Sequence, residues 1–234
     1  MSVSWLIPVR DGRRWIAGCL ESILSTCGAD DQLVVVDDGS RDDPKSASPV
    51  DPRITWIEQD ALGIAAALER GRRACVHPYI ARMDVDDLTL PGRLEAQIAV
   101  MGREPLAGAV GGRALLFQDE ERPNEGMQRY VEWVNGLTDL RTALLIESPI
   151  FHPAVLLRAD AVEAVGGYRD GDFPEDYDLW LRLVQAGYGL YNVPRDVVRI
   201  RDRPGRLTRS DGRYRNDAFE MLKRDWMKAE VLPI

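Results

Sequence analysis

Short β-rich runs alternate with stretches of helical periodicity through the first half of this chain, and that alternation most constrains its fold. Val3 to Ile7 is closed by Pro8. Trp15, Ile16, Cys19, Leu20, Ile23 and Leu24 then recur at helical spacing, with Gly28 just beyond. Leu33-Val34-Val35-Val36 reads as a second buried strand, Ile54-Thr55-Trp56-Ile57 as a third and Tyr79 to Met83 as a fourth. Helical stretches from Ile64 to Ala74 and from Arg93 to Met101 follow the third and fourth strands. Pro91 stands near the start of the latter, where its missing N–H is harmless. Elements in this order imply a mainly parallel sheet with helices on both faces. Ligands of such sheets gather at the carboxyl ends of the strands. Arg10-Asp11, Asp37-Asp38 and Asp84 to Asp86 each follow a strand end, so the chemistry is expected at one edge.

The segment Asp84-Val85-Asp86-Asp87 carries three carboxylates with no adjacent lysine, so their repulsion calls for a partner. Hard oxygen ligands of this kind suit Mg²⁺ or Mn²⁺, the alternative being a solvated acidic turn. Asp37-Asp38-Gly39-Ser40 is either a turn or a pair of acceptors for a base or ribose. In Phe173-Pro174-Glu175-Asp176-Tyr177, Asp176 stands at a helix entrance. There it is either a cap for backbone N–H groups or a general base for an attacking hydroxyl. His77 reads as a surface turn residue, and His152 as lining the site or packed in the interior. Arg199, Arg201, Arg203, Arg206 and Arg209 form a basic run that either is solvated or holds a leaving diphosphate.

The second half is less regular. Ala109 to Phe117 and Val155 to Leu157 read as strands, Gln118 to Glu125 as a polar loop, and Met127 to Ile146 as helix-like. Ala161 to Val165 and Tyr177 to Ala186 read as helices, Arg195 to Arg215 as an arginine-rich stretch and about Tyr214 to Glu230 as an amphipathic helix. With 234 residues we expect a single domain: a nucleotide-binding half over about 1–108, and an acceptor-binding half with a C-terminal helix over about 109–234. A net charge of −8 argues against a nucleic-acid partner. No apolar stretch reaches the ~18 residues of a membrane span, and the N-terminus lacks the features of a secretion signal. Cys19, Cys27 and Cys75 are odd in number and read as reduced cysteines of a cytoplasmic protein.

Taken together, Ile7-Pro8-Val9 with Asp11, Val36-Asp37-Asp38-Gly39-Ser40, Ala81-Arg82-Met83-Asp84-Val85-Asp86-Asp87 and Glu175-Asp176 with Trp180 resemble the family 2 glycosyltransferases in order and spacing. The resemblance implies the GT-A fold, a nucleotide-diphosphate sugar donor (commonly UDP-linked), Mn²⁺ or Mg²⁺, and inversion at the anomeric centre. It implies that Pro8, Val9, Arg10, Asp11, Asp37 and Asp38 wall the nucleotide pocket, with Asp38 meeting the base. Arg82 and Asp84 would contact the donor, Asp84 and Asp86 would serve the metal, and Asp176 would be the base with Glu175 beside it. The acceptor would be a glycan, a lipid-linked molecule or another hydroxyl compound, handled in the cytoplasm or at the inner membrane face. Two other readings stay open: a nucleotidyltransferase and a non-catalytic nucleotide-sugar-binding protein. The sequence departs from the family pattern at Arg10-Asp11, at Glu69 and at Arg199-Ile200-Arg201, where relatives commonly carry aromatic-Asn, Asn and a histidine respectively.

Overall fold

The first strand, β1 (Val3–Val9), is buried at every position, as a central strand covered on both faces must be. A computed structural model describes residues 1–118, 124–203, 212 and 216–228. Side chains of β1 alternate between two cores. Trp5 and Ile7 join Ile16, Leu20 and Ile23 of α1 (Arg13–Leu24) on one face, and Leu6 joins Leu68 of α2 (Ile64–Ala74) on the other. β2 (Gln32–Asp38) lies parallel to β1, and β3 (Ile54–Gln59) parallel to β2. β4 (Tyr79–Arg82) flanks β1 on its other side, also parallel. The strands therefore deliver Val9, Asp38 and Arg82 to one edge, as the sequence predicts.

Beyond β4 the sheet becomes mixed. Among the described residues its eight strands run in the order β3-β2-β1-β4-β7-β6-β8-β5. β7 (Leu156–Arg158) is antiparallel to both β4 and β6 (Ala107–Phe117). β8 (Gly189–Arg201) is parallel to β6, and the short β5 (Leu88–Thr89) closes the edge antiparallel to β8. α3 (Arg93–Arg103) and α4 (Glu125–Asn135) pack on β6. α6 (Ala159–Ala164) and α7 (Glu175–Gln185) lie in the same core as α2. One continuous sheet thus joins the two halves.

Two elements differ from the sequence reading. The stretch from Met127 to Ile146 is two helices, α4 and the single turn α5 (Leu140–Ala143). They are separated at Gly136, and Asp139 caps the second by accepting from Thr142 N at 3.1 Å. The first third of the arginine-rich stretch belongs to β8, which the sequence does not announce because Pro194 lies inside it. The register passes from Gly112↔Val193 to Arg113↔Asp196, so Pro194 and Arg195 form a bulge where no ladder N–H is needed. The C-terminal helix, α8 (Asn216–Lys228), falls inside the expected span, whereas Arg206, Arg209, Tyr214 and Glu230 lie outside the described residues. Among the described residues no helix is long and apolar enough to cross a membrane. Cys19, Cys27 and Cys75 are free thiols.

Candidate active site

β4 ends at Arg82, and the chain then turns through Asp84 to Asp87 before β5. Arg93 fixes that exit. Its buried guanidinium donates to the carbonyls of Arg82 at 2.8 Å, Pro153 at 2.9 Å and Val155 at 3.1 Å, and it lies 5.1 Å from the Trp5 ring centroid. Burial holds Arg93 down to about 9, still charged at neutral pH. The acids it presents do not wait for a ligand to relieve their repulsion. Arg82 Nη2 lies 2.7 Å from Asp84 Oδ1, Arg203 Nε 2.5 Å from Asp86 Oδ2, and Arg201 N donates to Asp87 Oδ1 at 2.8 Å. The expectation of an unrelieved cluster is corrected by arginines from β4 and from the end of β8. Oxygens of Asp84, Asp86 and Asp87 lie within 4.8 Å of one another, a spacing and a hard donor set that suit one divalent ion.

Asp84 and Asp86 line a cavity of about 490 Å³, a size ordinary for a small-molecule site. Arg82 and Arg203 flank them. Glu147, Ser148 and His152 line it too, and Glu175 and Asp176 reach it from the start of α7. Tyr130, Phe151 and Phe219 supply aromatic lining. The metal-type acids and the Glu175-Asp176 pair, about ninety residues apart in sequence, therefore share one hollow.

Asp176 is not a cap. α7 begins at Glu175 after Pro174, with no side-chain cap bond, and Asp176 Oδ1 accepts from the adjacent Tyr177 N at 2.8 Å. Its other oxygen lies 3.5 Å from Ser148 Oγ. Burial and then the neighbouring Glu175 charge push its pKa up. Glu175, 2% exposed, has Oε1 3.5 Å from His152 Nδ1, and His152 Nε2 lies 2.9 Å from the Tyr168 hydroxyl. A carboxylate only accepts, so Nδ1 carries the proton toward Glu175 and Nε2 accepts from Tyr168. Burial, then the Arg82 charge, pushes His152 down to about 4, so it is neutral at pH 7. The sequence left His152 between lining and packing; it does both. The lining residues Glu147 and Ser148, and Tyr168 behind His152, were not foreseen, because nothing local marks a lone Glu, Ser or Tyr as part of a site.

The residues expected around the nucleotide form a neighbouring group at the ends of β1 and β2, outside the lining of this cavity. Asp38 is 4% exposed and accepts from Gln59 Nε2 at 2.7 Å, Leu62 N at 2.9 Å and Gly63 N at 2.9 Å. Arg10 Nη1 approaches it at 3.9 Å. A carboxylate has about four acceptor sites, so roughly one remains for an incoming donor. Asp37 accepts from Ser40 N at 2.9 Å, which is turn chemistry, and Gly39 supplies φ 70°. Asp11, at φ 51°, ties the two loops together. Its N–H donates to Ser40 Oγ, and its carboxylate, held below the usual range by the Arg41 guanidinium, accepts twice from Arg41. Pro8 and Val9 end β1 opposite Val36 and Asp37.

The family described as "Glycosyl transferase family 2" matches residues 4–166, which include all three charged strand ends, at Asp11, Asp38 and Asp84. The chain belongs to glycosyl transferase family 2. Within that family it is 31% identical over 192 residues to the amylovoran biosynthesis glycosyltransferase AmsE of Erwinia amylovora, covering 78% of this chain and 69% of the relative. It is 25% identical over 206 residues to an Escherichia coli UDP-Gal:alpha-D-GlcNAc-diphosphoundecaprenol beta-1,3-galactosyltransferase, covering 86% of this chain and 73% of the relative. The fold matches the mannosyltransferase PcManGT from Pyrobaculum calidifontis in complex with GDP-Man and Mn²⁺, with a TM-score of 0.65, 20% identity and 87% of this chain covered. It also matches S. aureus TarS 1-349 in complex with UDP-GlcNAc, with a TM-score of 0.64, 13% identity and 90% covered. The chain spans 57% and 61% of those two solved chains. The mixed sheet of this family 2 chain is therefore that of the GT-A glycosyltransferases. Its second half extends beyond the matched residues and contributes Glu175, Asp176 and Arg203 to the cavity.

Proposed function

We propose that the protein transfers a sugar from a nucleotide-diphosphate sugar to an acceptor hydroxyl with inversion, during assembly of a surface polysaccharide or glycoconjugate. The observation that supports this reading is the shared cavity, lined by Asp84 and Asp86 from the turn after β4 and by Glu175 and Asp176 from the start of α7. In this reading the nucleoside lies along the ends of β1 and β2, among Pro8, Val9, Arg10, Asp11, Asp37 and Asp38. Arg82 and Asp84 contact the ribose and diphosphate, and Asp84 and Asp86 hold Mn²⁺ or Mg²⁺. The ion, when bound, neutralises the diphosphate as it leaves.

Asp176 accepts the proton of the acceptor hydroxyl. The acceptor oxygen then bonds to the anomeric carbon from the face opposite the diphosphate, as the bond from that carbon to the diphosphate oxygen breaks. General-base help of this kind supplies about 10²–10⁴-fold in rate. Glu175, steadied by His152 and Tyr168, fixes the first turn of α7. A UDP-linked donor and a lipid-linked acceptor draw support from the named specificity of the E. coli relative, and Mn²⁺ from the PcManGT complex, which holds that ion. An acceptor of that kind would place the protein at the inner membrane face.

A thermal-shift panel of nucleotide-diphosphate sugars, with and without Mn²⁺, tests the reading, because a ligand that binds the native state raises apparent stability. One donor should raise the melting temperature by several degrees, and only with Mn²⁺ present. No shift with any UDP- or GDP-sugar would contradict it. A shift without transfer to any acceptor or water would favour a binding protein, and release of pyrophosphate from a nucleoside triphosphate a nucleotidyltransferase.

A further inference from the structure

Arg203 takes the place at Asp86 that a divalent ion needs, and the surroundings of the pair bear on what happens when the ion arrives. The Nε–Oδ2 separation is 2.5 Å, a short charge-assisted contact. The same guanidinium lies 4.4 Å from the ring centroid of Trp15 on α1, so it is held from two sides. Asp86 is almost closed to solvent, with its side chain 8% exposed, leaving little room for an ion and a guanidinium together. The companion pair differs. Both arginines border the cavity, but the Arg82 side chain is 4% exposed beneath Asp84, whereas that of Arg203 is 29% exposed. Of these two arginines, Arg203 is the one with space to leave. The acid would not follow it. Arg201 Nε grips the Asp86 carbonyl at 3.0 Å, and Arg201 N holds Asp87 at 2.8 Å, both from the far end of β8.

We propose that Arg203 is an exchange residue. In the donor-free protein it is the counter-charge of Asp86; when metal and donor bind, it gives up Asp86 to the ion and passes to the departing diphosphate. This rests on the donor and metal reading above and deepens it, because it makes the ion and Arg203 competitors for one carboxylate. Each charge is then matched in both states: Asp86 by Arg203 before binding, Asp86 by the ion and the diphosphate partly by Arg203 afterwards. No bond other than hydrogen bonds and metal–oxygen contacts is made or broken in the exchange.

The test is a titration of Mn²⁺, followed by the electron paramagnetic resonance of the free ion, into wild-type protein, Arg203→Ala and Arg203→Met. Arg203→Met keeps an unbranched stem to pack on Trp15, which guards against a folding defect. Without nucleotide, both variants should bind Mn²⁺ about tenfold more tightly than wild type, the factor expected from losing a competing cation a few ångströms away. At saturating Mn²⁺, both should bind UDP or GDP, whichever the wild type prefers, about tenfold more weakly. Mn²⁺ affinity equal to or below wild type in both variants would overturn the exchange, since a merely structural arginine would not hold the ion off. Tighter Mn²⁺ with unchanged nucleotide affinity would overturn the transfer to diphosphate. Failure of the wild type itself to bind Mn²⁺, alone or with either nucleotide, would instead remove the metal reading on which the inference stands.

Discussion

Asp176 combines two demands that oppose each other. A base must be near its substrate and desolvated, yet desolvation and the adjacent Glu175 resist its ionisation, and its pKa is raised in the fold. Turnover should therefore rise with pH through a limb displaced above the ordinary carboxylate range near 4. Stability should move the other way. A group whose folded pKa is raised holds its proton more tightly in the native state, so the native advantage falls as pH climbs past the unfolded value. Asp176→Asn removes both effects. We expect it to lose about 10²–10⁴-fold in kcat while keeping donor affinity. Its melting temperature should exceed that of wild type at pH 8 and match it near pH 3. Unchanged kcat, or a variant less stable than wild type at pH 8, would return Asp176 to a structural part. The neutral His152 and its partner Tyr168 belong to the same scale. Neither could be assigned from sequence, because a histidine between Phe151 and Pro153 looks the same whether it packs or orients.

The elements that carry the acids were the legible ones. β1, β2 and β4 are short apolar runs ending in charge, and their parallel pairing delivers those charges to one edge. β8 was not legible. Pro194 disguises it, and its pairing with β6 across a bulge is a long-range fact that no local pattern encodes. The cost of missing it was the arginines: the sequence left Arg201 and Arg203 in a run either solvated or holding a diphosphate, and the structure puts them against Asp87 and Asp86. The turn at Asp37 was legible in its residues but not in its purpose, because the same Asp-Gly-Ser pattern serves a turn and a ligand. Packing between elements makes its own prediction. A Cβ at Gly71 of α2 would stand 2.3 Å from Leu6 Cδ1 and 2.7 Å from Val36 Cγ2, so this glycine lets the helix lie against β1 and β2. Gly71→Val should destabilise the protein by about 1–3 kcal/mol through overpacking. That would appear in a denaturant melt as a lower midpoint with an unchanged slope. A midpoint equal to that of wild type would show that the helix has slack there.

At the scale of the molecule, one sheet joins the two halves of the chain, and the cavity is lined from the end of β4, the end of β8 and the start of α7. The chain is acidic overall, −8, so the proposed anionic donor would have to be met locally, and arginines stand at Asp84 and Asp86. The central claim is that carboxylates from distant parts of the sequence form one cleft in which a divalent ion holds the donor. Calorimetric titration of the donor that stabilises the wild type, in Mn²⁺ and again in chelator, into wild type and Asp86→Ala tests it most directly. The account predicts binding by wild type in Mn²⁺ only, and a loss of about a hundredfold or more in Asp86→Ala. Binding of equal strength in Asp86→Ala, or undiminished by the chelator in wild type, would contradict it.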